Sequence, residues 1–79
     1  MTICSLVVQT KPEHLSPVTS HLNQLEGVEV QLSEPNGKLV VTIEHENQEY
    51  CSKVMTDMTV INGVMSTALI YEYQEELDV

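Results

Sequence analysis

The chain is predicted to fold as an α+β domain with the element order β-α-β-β-α-β, a four-stranded antiparallel sheet carrying two helices on one face. Three features of the sequence carry that prediction. Two segments space their apolar residues three and four apart, as an amphipathic helix does, and four others are dense or alternating in β-formers, as strands are. Both helical segments also end alike, in Leu25-Glu26-Gly27-Val28 and Ile61-Asn62-Gly63-Val64, so the chain reads as two βαβ halves. At 79 residues it is one domain, 1–79. A domain of that size covers only about 60–65% of its unfolded surface on folding, which leaves little room for a deep catalytic cleft.

Ile3 to Thr10 is a dense apolar run with a turn signal after it, so it is predicted to be a central strand. Lys11-Pro12 breaks the run, and Ser16-Pro17 offers an N-cap followed by a proline at the first helical position, where a missing N–H costs little. Leu15, Val18, Leu22 and Leu25 then form one stripe, and Gly27 is placed to end the helix in a left-handed cap. Val28, Val30 and Leu32 alternate with Glu29, Gln31 and Ser33, the pattern of an edge strand with one covered face. Asn36-Gly37 suits the positive φ values of a tight hairpin, and Leu39, Val41 and Ile43 carry the returning strand. Asn47 is the expected N-cap of the second helix, whose stripe is Tyr50, Val54, Met58 and Ile61 and which Gly63 closes. Val64 to Tyr73 favours a last strand, and residues 74–79 are expected to form a frayed acidic tail. Right-handed crossovers between the halves give the ferredoxin-like arrangement, with one sheet face under the helices and the other open.

The pleat of the first strand points Cys4, Leu6 and Val8 at the helices, and therefore Ile3, Ser5, Val7 and Gln9 at the open face. Lys38, Val40, Thr42 and Glu44 lie beside them on the hairpin. The last strand can be oriented either way. Small residues under the helices, Ser66 and Ala68 with Ile70, would leave Met65, Leu69 and Tyr71 on the open side. The open face then carries Val7, Val40, Met65, Leu69 and Tyr71 inside a rim that includes Glu44 and Glu72, an apolar patch of a kind monomers seldom leave unused. Such faces also pair with themselves, so a homodimer is the competing use of the surface.

Composition narrows the partner. Three Lys, no Arg and twelve Asp or Glu give a formal net charge of -9, which repels nucleic acid and anionic membrane surfaces and attracts a basic ligand. No apolar run approaches the ~18–20 residues of a membrane span. Cys4 and Cys51 form no CxxC motif, and without an apolar leader they fit a reduced, cytoplasmic setting as small packed residues. His14, His21 and His45 fall on a loop, a helix and a strand end, so no metal site is expected. Phosphoryl chemistry on this fold leans on an arginine, and RNA reading needs stacking aromatics on a positive face; the sequence has neither Arg, Phe nor Trp. Neither an enzyme nor a resident cofactor is indicated.

Cys4-Ser5-Leu6-Val7-Val8-Gln9 resembles the opening strand of the NapD family, the small assembly chaperones of periplasmic nitrate reductase. Gly27-Val28-Glu29-Val30, Asn36-Gly37-Lys38-Leu39, and Gly63-Val64 followed by Leu69-Ile70-Tyr71 are similar to that family in order and spacing, and the likeness spans nearly the whole chain. The resemblance implies a cytoplasmic chaperone that binds the twin-arginine signal peptide of the molybdenum-containing catalytic subunit and delays its export until the cofactor is inserted. It transfers no catalytic residue and no cofactor to the chaperone itself. Combined with the pleat, it makes Ser5, Val7, Gln9, Val40, Thr42, Glu44, Met65, Leu69, Tyr71 and Glu72 the expected peptide-binding residues. Val7, Val40 and Leu69 are the anchors, and Glu44 and Glu72 the arginine partners. The runner-up is a dimeric regulatory module of the same fold that binds a small metabolite at its interface.

Overall fold

The computed structural model describes residues 1–74. Its strands are β1 (Thr2–Thr10), β2 (Val28–Ser33), β3 (Lys38–His45) and β4 (Val64–Gln74), and its helices α1 (Leu15–Asn23) and α2 (Gln48–Met58). The sheet order is β2-β3-β1-β4 with every neighbouring pair antiparallel, which is the expected ferredoxin-like topology. α1 packs over β2, and α2 over β3 and β1.

β1 follows its alternation strictly. Thr2, Cys4, Leu6, Val8 and Thr10 are buried, while Ile3, Ser5, Val7 and Gln9 are half-exposed on the other side. β3 does the same, with Leu39, Val41 and Ile43 buried. These residues meet Val18 and Leu22 from α1 and Cys51, Val54 and Met58 from α2 in a single core. Each large apolar side chain so covered contributes about 1.5–3 kcal/mol, which is why the two central strands and the inner helix stripes decide stability.

α1 begins earlier than expected. A single 3₁₀ turn, Pro12–His14, closed by a 2.9 Å bond from the His14 N–H to the Lys11 carbonyl, leads directly into it, so Ser16 and Pro17 lie within the first helical turn rather than at its cap. Pro17 is tolerated there because its position needs no intrahelical N–H. At the other end Gly27 takes φ +75°, and its carbonyl accepts a 2.8 Å bond from the Glu44 N–H. A Cβ at this position would run into the Glu44 carbonyl, so the left-handed turn also lets β2 start hard against the end of β3.

Two other expectations need correction. In the hairpin only Gly37 has positive φ, +98°; the loop is four residues long, with the Gly37 N–H bonded to the Glu34 carbonyl and the Asn36 side chain accepting from the Lys38 N–H. Gln74, expected in the tail, pairs with Thr2 at the end of β4, and residues 75–79 lie outside the described residues.

The Asn47 cap is as expected. Its Oδ1 accepts from the Glu49 N–H at 2.8 Å and the Tyr50 N–H at 3.3 Å. Asn47→Ala is expected to lower stability by about 1 kcal/mol. Urea denaturation followed by circular dichroism measures this as a lower midpoint at unchanged slope.

Candidate functional site

In an antiparallel ladder directly paired residues share a face, so the register shows what the open side carries. Its rows run across the strands. The first joins Glu44, Ile3 and Tyr73, and the second Glu29, Thr42, Ser5 and Tyr71. The third joins Leu32, Val40, Val7 and Ala68, and the fourth Lys38, Gln9 and Ser66. The third row is apolar from one edge of the sheet to the other. Carboxylates stand beyond it on one side, where β3 ends and β2 starts, and Lys38 stands beyond it on the other.

Of the expected residues, Ser5, Val7, Gln9, Val40, Thr42, Glu44 and Tyr71 lie together on this face. Leu69 and Glu72 do not. Leu69 pairs with Leu6 and Glu72 with Cys4, both of which point at the helices, so the assignments of Leu69 as an open-face anchor and Glu72 as an open-face arginine partner are overturned. Met65 sits at an irregularity between the Gln9 and Thr10 pairings and belongs to no row, and Ser66 and Ala68, expected under the helices, are on the open side. The cause is a bulge. Ser5 pairs with Tyr71 but Leu6 with Leu69, so Ile70 is an extra residue that reverses the inward and outward sense of β4 along its length.

The thiols of Cys4 and Cys51 are both pushed up, first by burial and next by the charge of Glu72, the strand partner of Cys4. Both cysteines are free and buried, so their nucleophilic thiolate form is disfavoured and neither takes part in the open face.

Sequence reasoning does not name Leu32, Tyr73, Ala68 and Glu29 among the residues of this surface, and it places Ile3 there without assigning it a role. The alternation of β2 predicts Leu32 on the covered face, but a register shift between Val30 and Leu32 turns it out beside Val40, and it is 50% exposed. Glu29 is legible, since it occupies the outward phase of β2, and the hairpin register then puts it opposite Thr42.

The acidic side of the face ends in a hollow of about 610 Å³ lined by Met1, Glu26, Gly27, Val28, Glu29, Thr42, Glu44, His45 and Glu46. Its wall is rigidly built. The Tyr50 hydroxyl donates to the Glu26 carbonyl at 2.6 Å, and the Tyr50 ring lies 4.1 Å from that of His45. His45 Nδ1 accepts from the Asn47 N–H at 3.0 Å, which leaves Nε2 as the nitrogen facing Glu26, 3.9 Å from its Oε2. Burial and the nearby Glu26 carboxylate push the Tyr50 phenol up, so it remains the hydrogen-bond donor. Among the described residues no group of three or more His, Cys, Asp or Glu is arranged to hold a metal ion, and no helix is long and apolar enough to cross a membrane.

The class is thus defined: a ferredoxin-like domain with one bare sheet face, apolar across its middle and acidic at one end. The family described as NapD protein matches residues 1–76. Chaperone NapD of Escherichia coli strain K12 is 39% identical over 75 residues, covering 94% of this chain and 86% of that protein. Chaperone NapD of Haemophilus influenzae is 32% identical over 75 residues, covering 94% and 81%. The solution structure of the E. coli Tat proofreading chaperone protein NapD superimposes with a TM-score of 0.82 at 37% identity, covering 98% of this chain and 82% of that one. The chain belongs to the NapD family. It is a chaperone and not an enzyme.

Proposed function

We propose that this chaperone binds, in the cytoplasm, the twin-arginine signal peptide of the catalytic subunit of periplasmic nitrate reductase and holds back its export until the molybdenum cofactor is in place. The observation that carries the reading is the continuous open-face row Leu32, Val40, Val7 and Ala68, bordered by Glu29 and Glu44. A twin-arginine peptide combines two adjacent guanidinium groups with an apolar stretch, and this face offers a counterpart to each.

The two parts contribute differently. Exposed ion pairs are worth only about 0–1 kcal/mol each, so the carboxylates chiefly speed encounter and orient the peptide. Covering roughly 200 Å² of side-chain surface at ~25 cal/mol per Å² yields about 5 kcal/mol before the ordering cost of the peptide, so apolar burial sets the affinity. The net charge of -9 makes association fastest at low salt.

Titration calorimetry with a synthetic signal peptide tests the reading. Binding is expected, and replacing both arginines with lysine is expected to weaken it, because a planar guanidinium can bond a carboxylate in two places and an ammonium cannot. No detectable binding of the arginine peptide would refute the proposed function.

A further inference from the structure

β4 is the longest strand, with 11 residues, and it is an edge. α1 lies on β2, and α2 on β3 and β1, so β4 is left at the margin, where Ala68 to Tyr73 are all exposed on both phases of the strand. Long apolar edges are templates for pairing, and proteins usually blunt them with lysine, proline or a bulge. Between Val64 and Gln74 there is no lysine, arginine or proline, and the one charge is Glu72. On the open side of this edge the Tyr71 and Tyr73 rings are stacked, with centroids 6.3 Å apart and planes 6° from parallel, so they present one flat surface.

We infer that the β4 edge pairs with the β4 edge of a second copy of this chain, antiparallel about a twofold axis, to make one continuous eight-stranded sheet. The bulge at Ile70 selects the register. Residues directly opposite each other in an antiparallel pair share a face. Ahead of Ile70 the helix side takes Thr67 and Leu69 and the open side Ser66 and Ala68, whereas beyond it the helix side takes Glu72 and the open side Tyr71 and Tyr73. A twofold through any single residue would therefore set inward side chains against outward ones. A twofold between Ile70 and Tyr71 pairs the segment ahead of the bulge with the segment beyond it and keeps both faces, bringing Leu69 opposite the second copy's Glu72 and Ala68 opposite its Tyr73. The two Glu72 residues are then three positions apart along the strands, about 10 Å, a separation that physiological salt largely screens. A basic ligand is a poorer occupant of this edge, because Glu29 and Glu44 stand on β2 and β3, on the far side of β1. About half the side-chain area of Leu69, Ile70, Tyr71 and Tyr73 is available, roughly 400 Å² per copy against ~800 Å² in a standard interface, so the dimer is weak. The net charge of -9 on each copy opposes it further at low salt. Leu32, Val40 and Val7 stay bare, and the two open faces lie side by side on the same side of the joined sheet.

Sedimentation equilibrium of the whole chain, without any peptide, is expected to show a monomer–dimer equilibrium with a midpoint of about 10–100 μM that tightens as salt is raised. Ile70→Lys should raise the dissociation constant at least about tenfold, with an unchanged circular dichroism spectrum, because it places a charge on an exposed edge position. Val60→Lys should leave association unchanged: Val60 is 80% exposed but lies outside the paired segment. A chain that stays monomeric up to about 1 mM, or one whose dimer survives Ile70→Lys, overturns the inference. Isotope-filtered NOEs between labelled and unlabelled copies of the parent chain read the register without any substitution. Contacts are expected between the Ala68 methyl of one copy and the Tyr73 ring of the other. Contacts made instead by Val7 and Val40 would place the dimer on the open face and sink the edge pairing.

Discussion

Val7→Glu is expected to weaken signal-peptide binding by at least about 100-fold while the circular dichroism spectrum and the melting profile stay close to those of the parent. Val7 is at the middle of the apolar row, with Val40 on one side and Ala68 on the other. In the free protein a glutamate there is solvated, and the fold loses only the cross-strand contacts with those two neighbours, typically about 0.2–1 kcal/mol each. Under a bound apolar segment the same carboxylate has no water, and burying it costs several kcal/mol unless a cation reaches it. Val40→Glu should behave in the same way. Glu29→Gln or Glu44→Gln alone should cost only a few-fold, because each removes one exposed charge pair. Calorimetry distinguishes these outcomes, and unchanged affinity in both valine variants would remove the open face from the interaction.

Gly37→Ala is expected to destabilise the fold by about 3 kcal/mol, which for a domain of this size lowers the melting temperature by roughly 12–24 °C. Two causes add. Gly37 holds φ +98°, a region that costs an L-residue about 1–2 kcal/mol. An alanine Cβ would also press into the Thr10 carbonyl, in the place where the Gly37 carbonyl accepts from both the Thr10 N–H, at 2.8 Å, and the Thr10 hydroxyl, at 3.1 Å. Thr10 is itself buried, so the strand cannot give way without opening the end of β1. Gly37→Asn separates the two causes, since asparagine relieves part of the dihedral cost and none of the contact. Differential scanning calorimetry reads both variants, and an alanine variant that melts with the parent would show that the hairpin is not pinned at this point.

Much of the site is legible in the order of the amino acids. The open-face assignment of Ser5, Val7, Gln9, Val40, Thr42 and Glu44 follows from the pleat of β1 and β3 alone, because these strands lie at the centre of the sheet and the core covers one face of each. A half-buried strand has no freedom to exchange its faces without exposing every apolar residue on the covered side. The α2 cap and both helix stripes are legible for a related reason: they rest on local geometry and on a period that the sequence displays directly.

The edges are different. From Met65 to Tyr73 apolar and aromatic residues fall on both phases, Met65, Leu69, Tyr71 and Tyr73 on one and Ala68 and Ile70 on the other, and Met65, Leu69, Ile70, Tyr71 and Tyr73 all remain about half exposed. Such a strand offers no strict alternation to read, so the choice between its two phases falls on the size of the residues, a criterion that misplaces Ser66, Ala68 and Leu69. The start of α1 is misplaced for a local reason, the 3₁₀ turn Pro12–His14 that leads directly into it.

By itself, then, the sequence determined the order of elements, the ferredoxin-like fold, the acidic and apolar character of the bare face and the identity of its two central strands, because each of these depends on composition, local capping or a strict period. Only the tertiary structure decided which residues of β2 and β4 join that face. A bulge is defined by the partner strand: one residue, Gln31 or Ile70, finds nothing opposite it, and whether its neighbours point up or down depends on hydrogen bonds to another part of the chain.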